Sequence, residues 1–179
     1  MRVIGGSARG RHLKGPRGPG TRPTSDLVRG ALFDILRSMG ADLSRVLDLY
    51  AGTGALGIEA LSRGGGWCDF VEKGRRSGEL IRENLALTGL ADKAGVHTLS
   101  VRQVPERLQG PYTLVLADPP YDDERALEDL ERVASSSLVA PGAVLAFEHS
   151  RRSEAPPALG GRPLLQTRRH GDTCVSFYR

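Results

Sequence analysis

Residues 46–61 read VLDLYAGTGALGIEAL, and this stretch decides the fold. Its first five residues are a short apolar run, which is typical of a buried strand. A glycine turn of the pattern G-x-G-x-x-G follows directly at 52–57, and a helix is predicted from there through Leu61. Glycines at such a turn let the backbone bend sharply and approach a ligand closely. The stretch therefore predicts the first strand, turn and helix of a nucleotide-binding α/β domain.

Predicted strands and helices alternate along the rest of the chain. Further strands are predicted at 67–72, 95–99, 112–117 and 142–148, and the helices between them include one at about 123–135. The strand at 112–117 is continuously apolar, which predicts burial on both faces. This alternation favours a doubly wound sheet of parallel strands.

The last two predicted strands break that rhythm. They cover 164–167 and 173–178 and are joined through the residues HGD at 170–172. Because this link is too short for a crossover helix, the two strands must pair as an antiparallel hairpin. We therefore expect a doubly wound, mostly parallel sheet of seven strands that ends in a C-terminal antiparallel hairpin.

The N-terminus is a basic, glycine- and proline-rich arm, which we place at 1–23, before a domain at 24–179. The first 25 residues contain six arginines and lysines and no acid, whereas the whole chain has a formal net charge of only +4. Arginines in such an arm can contact phosphates and release counterions, which favours a polyanionic partner. A merely solvated basic tail is the alternative. A short hairpin or loop is predicted at its start, and Thr24 or Ser25 is predicted to cap the first helix.

Length and composition exclude several classes of protein. The 179 residues correspond to about one domain, and no apolar run approaches the ~18 residues of a membrane span. The N-terminus lacks the apolar region of a secretory signal. The distant Cys68 and Cys174 provide neither a metal-binding spacing nor a disulfide framework. We expect a cytoplasmic monomer with reduced thiols and no metal.

Two acidic residues help to decide which cofactor the glycine turn binds. Glu72 lies twenty residues after Gly52, at the end of the second predicted strand, where a carboxylate can accept hydrogen bonds from ribose hydroxyls. That position suits NAD as well as S-adenosylmethionine (SAM). Asp48 lies inside the first strand, where it can meet a cation such as the ammonium of a methionine moiety. SAM has no pyrophosphate to place on the helix N-terminus, so Asp48 favours SAM. Pairing of Asp48 with a local backbone amide is the alternative.

The tetrapeptide Asp118-Pro119-Pro120-Tyr121 directly follows the fourth predicted strand and therefore faces the cleft at the carboxyl end of the sheet. Its two prolines hold the backbone extended and donate no N–H. The Asp118 carboxylate and the carbonyls then form a rigid row of acceptors, which suits the exocyclic amine of a base. Tyr121 provides a ring that can stack on that base. A plain turn is the alternative.

Together these motifs resemble class I SAM-dependent methyltransferases that act on amino groups of nucleobases. The resemblance rests on the stretch at 46–61, on FVE at 70–72 and on LVLADPPY at 114–121. With VIGGSARGRHL at 3–13 and RPTSDLVRGALFDIL at 22–36, nearly the whole chain is similar to the bacterial RsmD type. That family transfers methyl groups to guanine N2 in 16S ribosomal RNA, so the resemblance implies this RNA, or the assembling small ribosomal subunit, as the partner.

The resemblance also implies roles for individual residues. The methionine side of SAM would contact the residues of the first strand and turn, namely Asp48, Gly52, Thr53 and Gly54. Glu72 would hold the ribose, and the target guanine would bind residues 118–121. Arg22, Thr24 and Arg29 would lie at the entry for the cofactor or the RNA, and the arginines of the basic arm, Arg9 and Arg11, would contact the RNA. Such families often place an acid or amide after the third strand, near the adenine, but this chain has HTLSVR at 97–102, which leaves Ser100 as the candidate.

Three other functions fit parts of the pattern. A DNA amino-methyltransferase shares the tetrapeptide but usually carries a separate target-recognition domain, for which this chain leaves no room. An NAD-dependent oxidoreductase fits the glycine turn but neither Asp48 nor the tetrapeptide. A non-catalytic RNA-binding module would use the basic arm but needs no cofactor turn.

Overall fold

A computed structural model describes residues 1–15 and 25–179. Within these ranges the chain forms the helices α1 Asp26–Ser38, α2 Ala55–Ser62, α3 Arg75–Thr88, α4 Val104–Arg107 and α5 Ala126–Ala134. Its strands are β1 Arg45–Leu49, β2 Trp67–Val71, β3 Ala94–His97, β4 Tyr112–Ala117, β5 Val139–Ser150, β6 Ala158–Leu159, β7 Arg162–His170 and β8 Thr173–Tyr178.

The strands form one sheet in the order β3-β2-β1-β4-β5-β8-β7-β6. Neighbouring strands from β3 to β5 are parallel, whereas β8 runs antiparallel to both β5 and β7. The doubly wound, mostly parallel sheet with a C-terminal antiparallel hairpin is thus confirmed. An eighth strand, β6, was not expected, because its two residues are too few to show an alternating pattern.

The central strands are covered on both faces, as the apolar sequence of β4 predicts. Leu114 and Leu116 of β4 belong to a cluster that includes buried residues of α1, α2 and α3. Tyr112, Val115 and Ala117 belong to a second cluster on the opposite face, which includes residues of α5. Because both faces are occupied, ligands can reach the sheet only at the ends of its strands.

The first helix begins and ends where its sequence predicts. The Ser25 side chain accepts a hydrogen bond from the Val28 amide at 3.2 Å and so caps the N-terminus of α1. The alternative cap, Thr24, lies outside the described residues. The helix ends at Ser38, and Gly40 follows with a φ of 62°, a conformation that ends helices at little cost for glycine.

Residues 1–14 pack against the domain as a short hairpin. Arg2 and His12 form an isolated antiparallel bridge, which agrees with the predicted hairpin. Val3, Ala8 and Leu13 are buried in the same core cluster as α1 and α2. The apolar side chains of the arm therefore contribute to the hydrophobic core, whereas its arginines Arg9 and Arg11 are exposed. The boundary predicted at residue 23 lies outside the described residues.

Glu59 of α2 fastens this hairpin. Its side chain has no exposed surface, and its two carboxylate oxygens accept hydrogen bonds from the backbone amides of Ile4 and Gly5, each at 2.8 Å. The next turn of α2 continues the attachment, because the Ser62 hydroxyl accepts a hydrogen bond from the Ala8 amide at 2.9 Å. Buried backbone amides need such partners, so the hairpin depends on α2 for its hydrogen bonds.

Candidate active site

A cavity of about 960 Å³ opens at the carboxyl ends of the central strands. It lies where the strand order reverses between β1 and β4, the point at which doubly wound sheets bind their ligands. Its volume is near the upper end of the ~300–1,000 Å³ typical of small-molecule sites. The cavity wall contains most of the predicted site residues: Asp48, Gly52, Thr53, Glu72, Ser100, Asp118, Pro119, Pro120 and Tyr121.

The glycines of the turn serve two different purposes. Gly52 lines the cavity with a φ of 55°, and an added Cβ would meet no atom closer than the Tyr50 carbonyl oxygen at 3.8 Å. Gly54 is not part of the cavity wall, contrary to its predicted place beside the cofactor. It begins α2 with a φ of 79° and packs near Ile81 and Phe70. Gly57 packs still closer, since an added Cβ would overlap the Phe70 ring. Of these three glycines, Gly52 is therefore the one that leaves room for a ligand.

Glu72 is held at the cavity by two backbone amides. Its Oε2 accepts a hydrogen bond from the Gly52 amide at 3.0 Å, and its Oε1 accepts one from the Gly74 amide at 2.7 Å. The carboxylate therefore joins the glycine turn to the beginning of α3. Each carboxylate oxygen can accept more than one hydrogen bond, so Glu72 can also accept hydroxyl donors from a ligand.

One carboxylate oxygen of Asp48 accepts a backbone hydrogen bond, and the other has no hydrogen-bond partner among the described residues. Its Oδ2 accepts a hydrogen bond from the Gly57 amide at 2.8 Å, which is the local pairing considered as the alternative. Its buried Oδ1 has no hydrogen-bond partner among the described residues, and Asp48 lines the cavity. Burial raises the pKa of Asp48 well above its ordinary range, and the nearby carboxylates of Asp118 and Glu72 add to this rise. A cation bound in the cavity would offset both effects.

The tetrapeptide is both a turn and a wall of the cavity. The Pro120 carbonyl accepts a hydrogen bond from the Asp123 amide at 3.0 Å, so this carbonyl is not part of a free row of acceptors as predicted. Asp118 and Pro119 line the cavity before that turn. The Tyr121 side chain is half-exposed, and its hydroxyl lies 2.7 Å from the Thr173 Oγ1 of β8. This contact attaches the tyrosine ring to the C-terminal hairpin.

A further carboxylate, that of Glu148, lies next to the tetrapeptide and was missed in the sequence. The last paired residues of β4 and β5 are Ala117 and Phe147, so Asp118 and Glu148 occupy the next positions on two neighbouring parallel strands. Glu148 is only 5% exposed and lines the cavity. A signal existed in the sequence, because an acid at the end of an apolar strand also marked Glu72.

Two more polar groups were missed on the other side of the cavity. Tyr50 has a φ of 56°, which is rare for a bulky side chain and often marks functional sites. Its buried hydroxyl and the buried Asp129 Oδ1 have no hydrogen-bond partner among the described residues, and both residues line the cavity. Burial raises the pKa of both groups. They lie on the same cavity wall as Ser100, which caps a 3₁₀ turn at 101–103.

The residues predicted to contact RNA lie in different places. Arg9 and Arg11 are exposed on the N-terminal hairpin, where the Arg11 Nη1 donates a hydrogen bond to the Leu87 carbonyl at 3.1 Å. Neither lines the cavity. Arg22 and Thr24 lie outside the described residues.

The prediction for Arg29 is wrong, because this side chain has no exposed surface. Its guanidinium donates hydrogen bonds to the Asp26 Oδ1 at 2.9 Å and to the Arg2 carbonyl, and its Nε lies 3.6 Å from the Glu59 Oε2. It therefore joins the N-terminal hairpin to α1 and α2 and cannot reach an RNA.

The described residues contain neither a candidate membrane span nor a candidate metal site. None of the helices within 1–15 and 25–179 is long and apolar enough to cross a membrane. Over the same ranges, no group of three or more His, Cys, Asp or Glu side chains could hold a metal ion.

The chain is similar to known proteins over its whole length. The model of the family described as "Conserved hypothetical protein 95" matches residues 1–179. YlbH of Bacillus subtilis, provisionally named an rRNA methyltransferase, is 33% identical over 183 residues, which cover 100% of this chain and 98% of YlbH. Ribosomal RNA small subunit methyltransferase D of Escherichia coli K12 is 31% identical, over 100% of this chain and 89% of its own.

A solved structure shows the same fold. The Escherichia coli protein yhhF, provisionally named a methyltransferase, superposes with a TM-score of 0.85 at 31% identity. The match covers 99% of this chain and 96% of yhhF. It therefore includes the N-terminal hairpin as well as the C-terminal antiparallel strands.

Proposed function

Because this chain belongs to the RsmD family of class I SAM-dependent methyltransferases, we propose that it methylates the exocyclic amine, N2, of a guanine in small-subunit (16S) ribosomal RNA. The observation that carries the proposal is the position of Asp118 and Pro119 in one cavity with the glycine turn, Asp48 and Glu72. That cavity brings an acceptor for an amine beside a site suited to a cationic nucleotide. The enzyme would act as a cytoplasmic monomer on the RNA or on the assembling subunit.

The residues at the end of β1 suit SAM, which carries a sulfonium and an ammonium. Asp48 has an open, buried carboxylate oxygen for a cation, and Gly52 leaves space where any Cβ would narrow the cavity. Thr53 lies beside them in the wall, and Glu72 can accept the ribose hydroxyls. Ser100 also lies in the cavity wall and would contact the adenine. When bound there, SAM supplies the electrophilic methyl group.

Asp118 and Pro119 would orient the target amine. The lone pair of a guanine amine is delocalised into the ring, which makes it a poor nucleophile. Hydrogen bonds from its two N–H groups to the Asp118 carboxylate and the Pro119 carbonyl would direct the lone pair at the methyl group, and orientation of this kind can lower a barrier by ~7–11 kcal/mol. The carboxylate would also stabilise the positive charge that develops on nitrogen. Tyr121 would stack on the base after it leaves its helix, which costs a few kcal/mol.

The proposal is tested by mapping methylated guanines in small-subunit RNA by mass spectrometry, in cells with and without the gene. Loss of one N2-methylguanine in the cells without the gene is expected, and an unchanged methylation map would contradict the proposal. Calorimetric titration with SAM and with NADH separates the rival functions. Binding of SAM alone is expected, whereas an oxidoreductase would bind NADH and a simple RNA-binding module would bind neither.

Replacing Glu72 with alanine is expected to weaken SAM binding more than tenfold. The change removes the acceptor for two ribose hydroxyls, and each lost hydrogen bond to a charged group is worth ~1.5–3 kcal/mol. It also removes the partner of the Gly52 and Gly74 amides, which loosens the turn. Titration calorimetry measures the affinity, with Glu79→Ala on the exposed side of α3 as the control. Unchanged affinity in a folded Glu72→Ala protein would remove Glu72 from the site.

We propose that the basic N-terminal part, residues 1–23, contacts RNA. Deleting it would also remove Val3, Ala8 and Leu13 from the core, so point substitutions are the better test. The double substitution of Arg9 and Arg11 by alanine is expected to weaken RNA binding and leave SAM binding unchanged.

Salt dependence measures this contribution directly. Each lost phosphate contact lowers the log–log slope of affinity against salt by ~0.7–0.9, so the two substitutions together should lower it by about 1.5. Replacing Arg75 and Arg76, which lie on α3 away from the hairpin, provides a control of equal charge. An unchanged slope would show that the hairpin arginines are only solvated.

A further inference from the structure

We infer that Glu148 accepts a hydrogen bond from N1–H of the target guanine and thereby determines that the methylated base is guanine. This inference rests on the proposed function and adds to it a residue that reads the base. The evidence is the position of Glu148 in the sheet, its burial and its place between two cavities.

The strand register places Glu148 beside Asp118. The pair Ala117 and Phe147 ends the ladder between β4 and β5, so the next residues of these parallel strands are Asp118 and Glu148. Neighbouring strands lie ~4.8 Å apart, and residues at equivalent positions point to the same face of a sheet. The register therefore places the two acidic residues at neighbouring positions at the carboxyl end of the sheet, and both line the cavity.

Glu148 also borders both of the cavities around the tetrapeptide. The second cavity, of about 440 Å³, shares with the first the residues 119–123 and Glu148. The half-exposed ring of Tyr121 lies in the wall common to both. A base stacked on Tyr121 would therefore have one edge directed at the end of β5, where Glu148 lies.

The two neighbouring carboxylates match the donors on one edge of guanine. Glu148 ends an apolar run in β5, is only 5% exposed and lines the cavity. An ionised carboxylate only accepts hydrogen bonds. The edge of guanine presents two adjacent donors, N1–H and the N2 amine, which match two adjacent carboxylates. Adenine presents a lone pair at N1, which a carboxylate repels, so the same pair of acids rejects adenine.

The test compares two bases that share the target amine. A single-stranded or fragment RNA is prepared with guanine, or with 2-aminopurine, at the position found by mapping. 2-Aminopurine keeps the amine but lacks N1–H and the O6 carbonyl, so substitutions of Glu148 identify the part of the difference that N1–H causes. The wild-type enzyme is expected to methylate the guanine RNA about 10- to 100-fold faster at subsaturating RNA, the range for one hydrogen bond to a charged group.

Substitutions of Glu148 should reduce that preference selectively. Glu148→Ala is expected to slow methylation of guanine but not of 2-aminopurine, whose N1 lone pair the carboxylate repels, so that the ratio of the two rates falls. Glu148→Gln should keep part of the preference, because its amide oxygen can still accept a hydrogen bond from N1–H. This variant provides the test if Glu148→Ala does not fold. Glu128→Ala, an exposed acid of α5, is the matched control and should keep the wild-type ratio.

The outcomes separate this inference from the proposed function. If Glu148→Ala and Glu148→Gln slow both RNAs by the same factor, Glu148 has a structural role and the inference is overturned. A wild-type enzyme that methylates both RNAs at one rate also overturns it, while the proposed function stands. A wild-type enzyme that binds SAM but methylates neither RNA, whether free or within the assembling small subunit, contradicts the proposed function itself.

Discussion

Replacing Asp118 with alanine is expected to lower turnover by two or more orders of magnitude. The change removes a pre-organised acceptor for the target amine, and losing one such contact costs ~2.7–4 kcal/mol of transition-state stabilisation. SAM binding should change much less, because Asp118 would contact the base. Removing its charge also removes one cause of the raised pKa of Asp48, which favours the ionised form of that residue. Rates of methyl transfer to RNA measure the first effect, and calorimetry with SAM measures the second.

Substitutions of Tyr121 provide the matched comparison in the same tetrapeptide. Tyr121→Ala is expected to lose ~1–3 kcal/mol of base stacking. Tyr121→Phe keeps the ring and loses the hydroxyl contact to Thr173, so most of the activity should remain. The expected order of loss is Asp118→Ala, then Tyr121→Ala, then Tyr121→Phe. If Tyr121→Phe were as inactive as Asp118→Ala, the phenol would take part in the chemistry and the mechanism proposed here would be wrong.

The parts of the site that could be predicted from the sequence depend on local patterns. A strand, a glycine turn and a helix follow one another within residues 46–61, so the position of Gly52 at the sheet end is determined by its neighbours. The tetrapeptide follows β4 for the same reason, and parallel strands bring both to one edge of the sheet. The antiparallel hairpin of β7 and β8 was predictable because its link is too short for a helix.

The parts that were missed depend on contacts between distant segments. Glu148 becomes a neighbour of Asp118 only through the register of β4 and β5, which a single strand does not reveal. Tyr50, directly after β1, and Asp129, in α5, come to the same cavity only through the fold, and neither segment has an unusual sequence. The orientation of Gly54 away from the cavity likewise depends on its contact with Ile81 in α3.

Arg29 shows how a family resemblance can mislead about a single residue. The resemblance assigned it to the RNA, yet α1 buries Val28, Arg29, Leu32, Phe33 and Leu36 on one face. Residues four apart share a helix face, so Arg29 belongs to the same buried stripe as Phe33. An arginine in an apolar stripe requires a buried acid, and that acid is Glu59, thirty residues away in α2.

Replacing Glu59 with alanine is expected to lower the free energy of unfolding by ~3–5 kcal/mol, the cost of breaking a buried ion pair from one side. Neither Glu59 nor Arg29 has exposed side-chain surface, so the Arg29 guanidinium would lose a buried counter-charge. The backbone amides of Ile4 and Gly5 would lose their acceptors, and Arg63, whose Nε lies 2.8 Å from the Glu59 Oε1, would lose its partner. Urea denaturation measures the change.

A comparison of a buried and an exposed ion pair shows whether burial causes the large loss of stability expected for Glu59→Ala. Glu106 forms an exposed pair with Arg132, and Glu106→Ala should cost less than about 1 kcal/mol. Replacing both Glu59 and Arg29 with methionine should recover stability relative to Glu59→Ala, because no unpaired charge then remains buried. If Glu59→Ala cost no more than Glu106→Ala, the N-terminal hairpin would not depend on this ion pair. The hairpin would then be held mainly by the burial of Val3, Ala8 and Leu13. In that case, truncating these side chains should lower the free energy of unfolding in the same urea denaturation experiment.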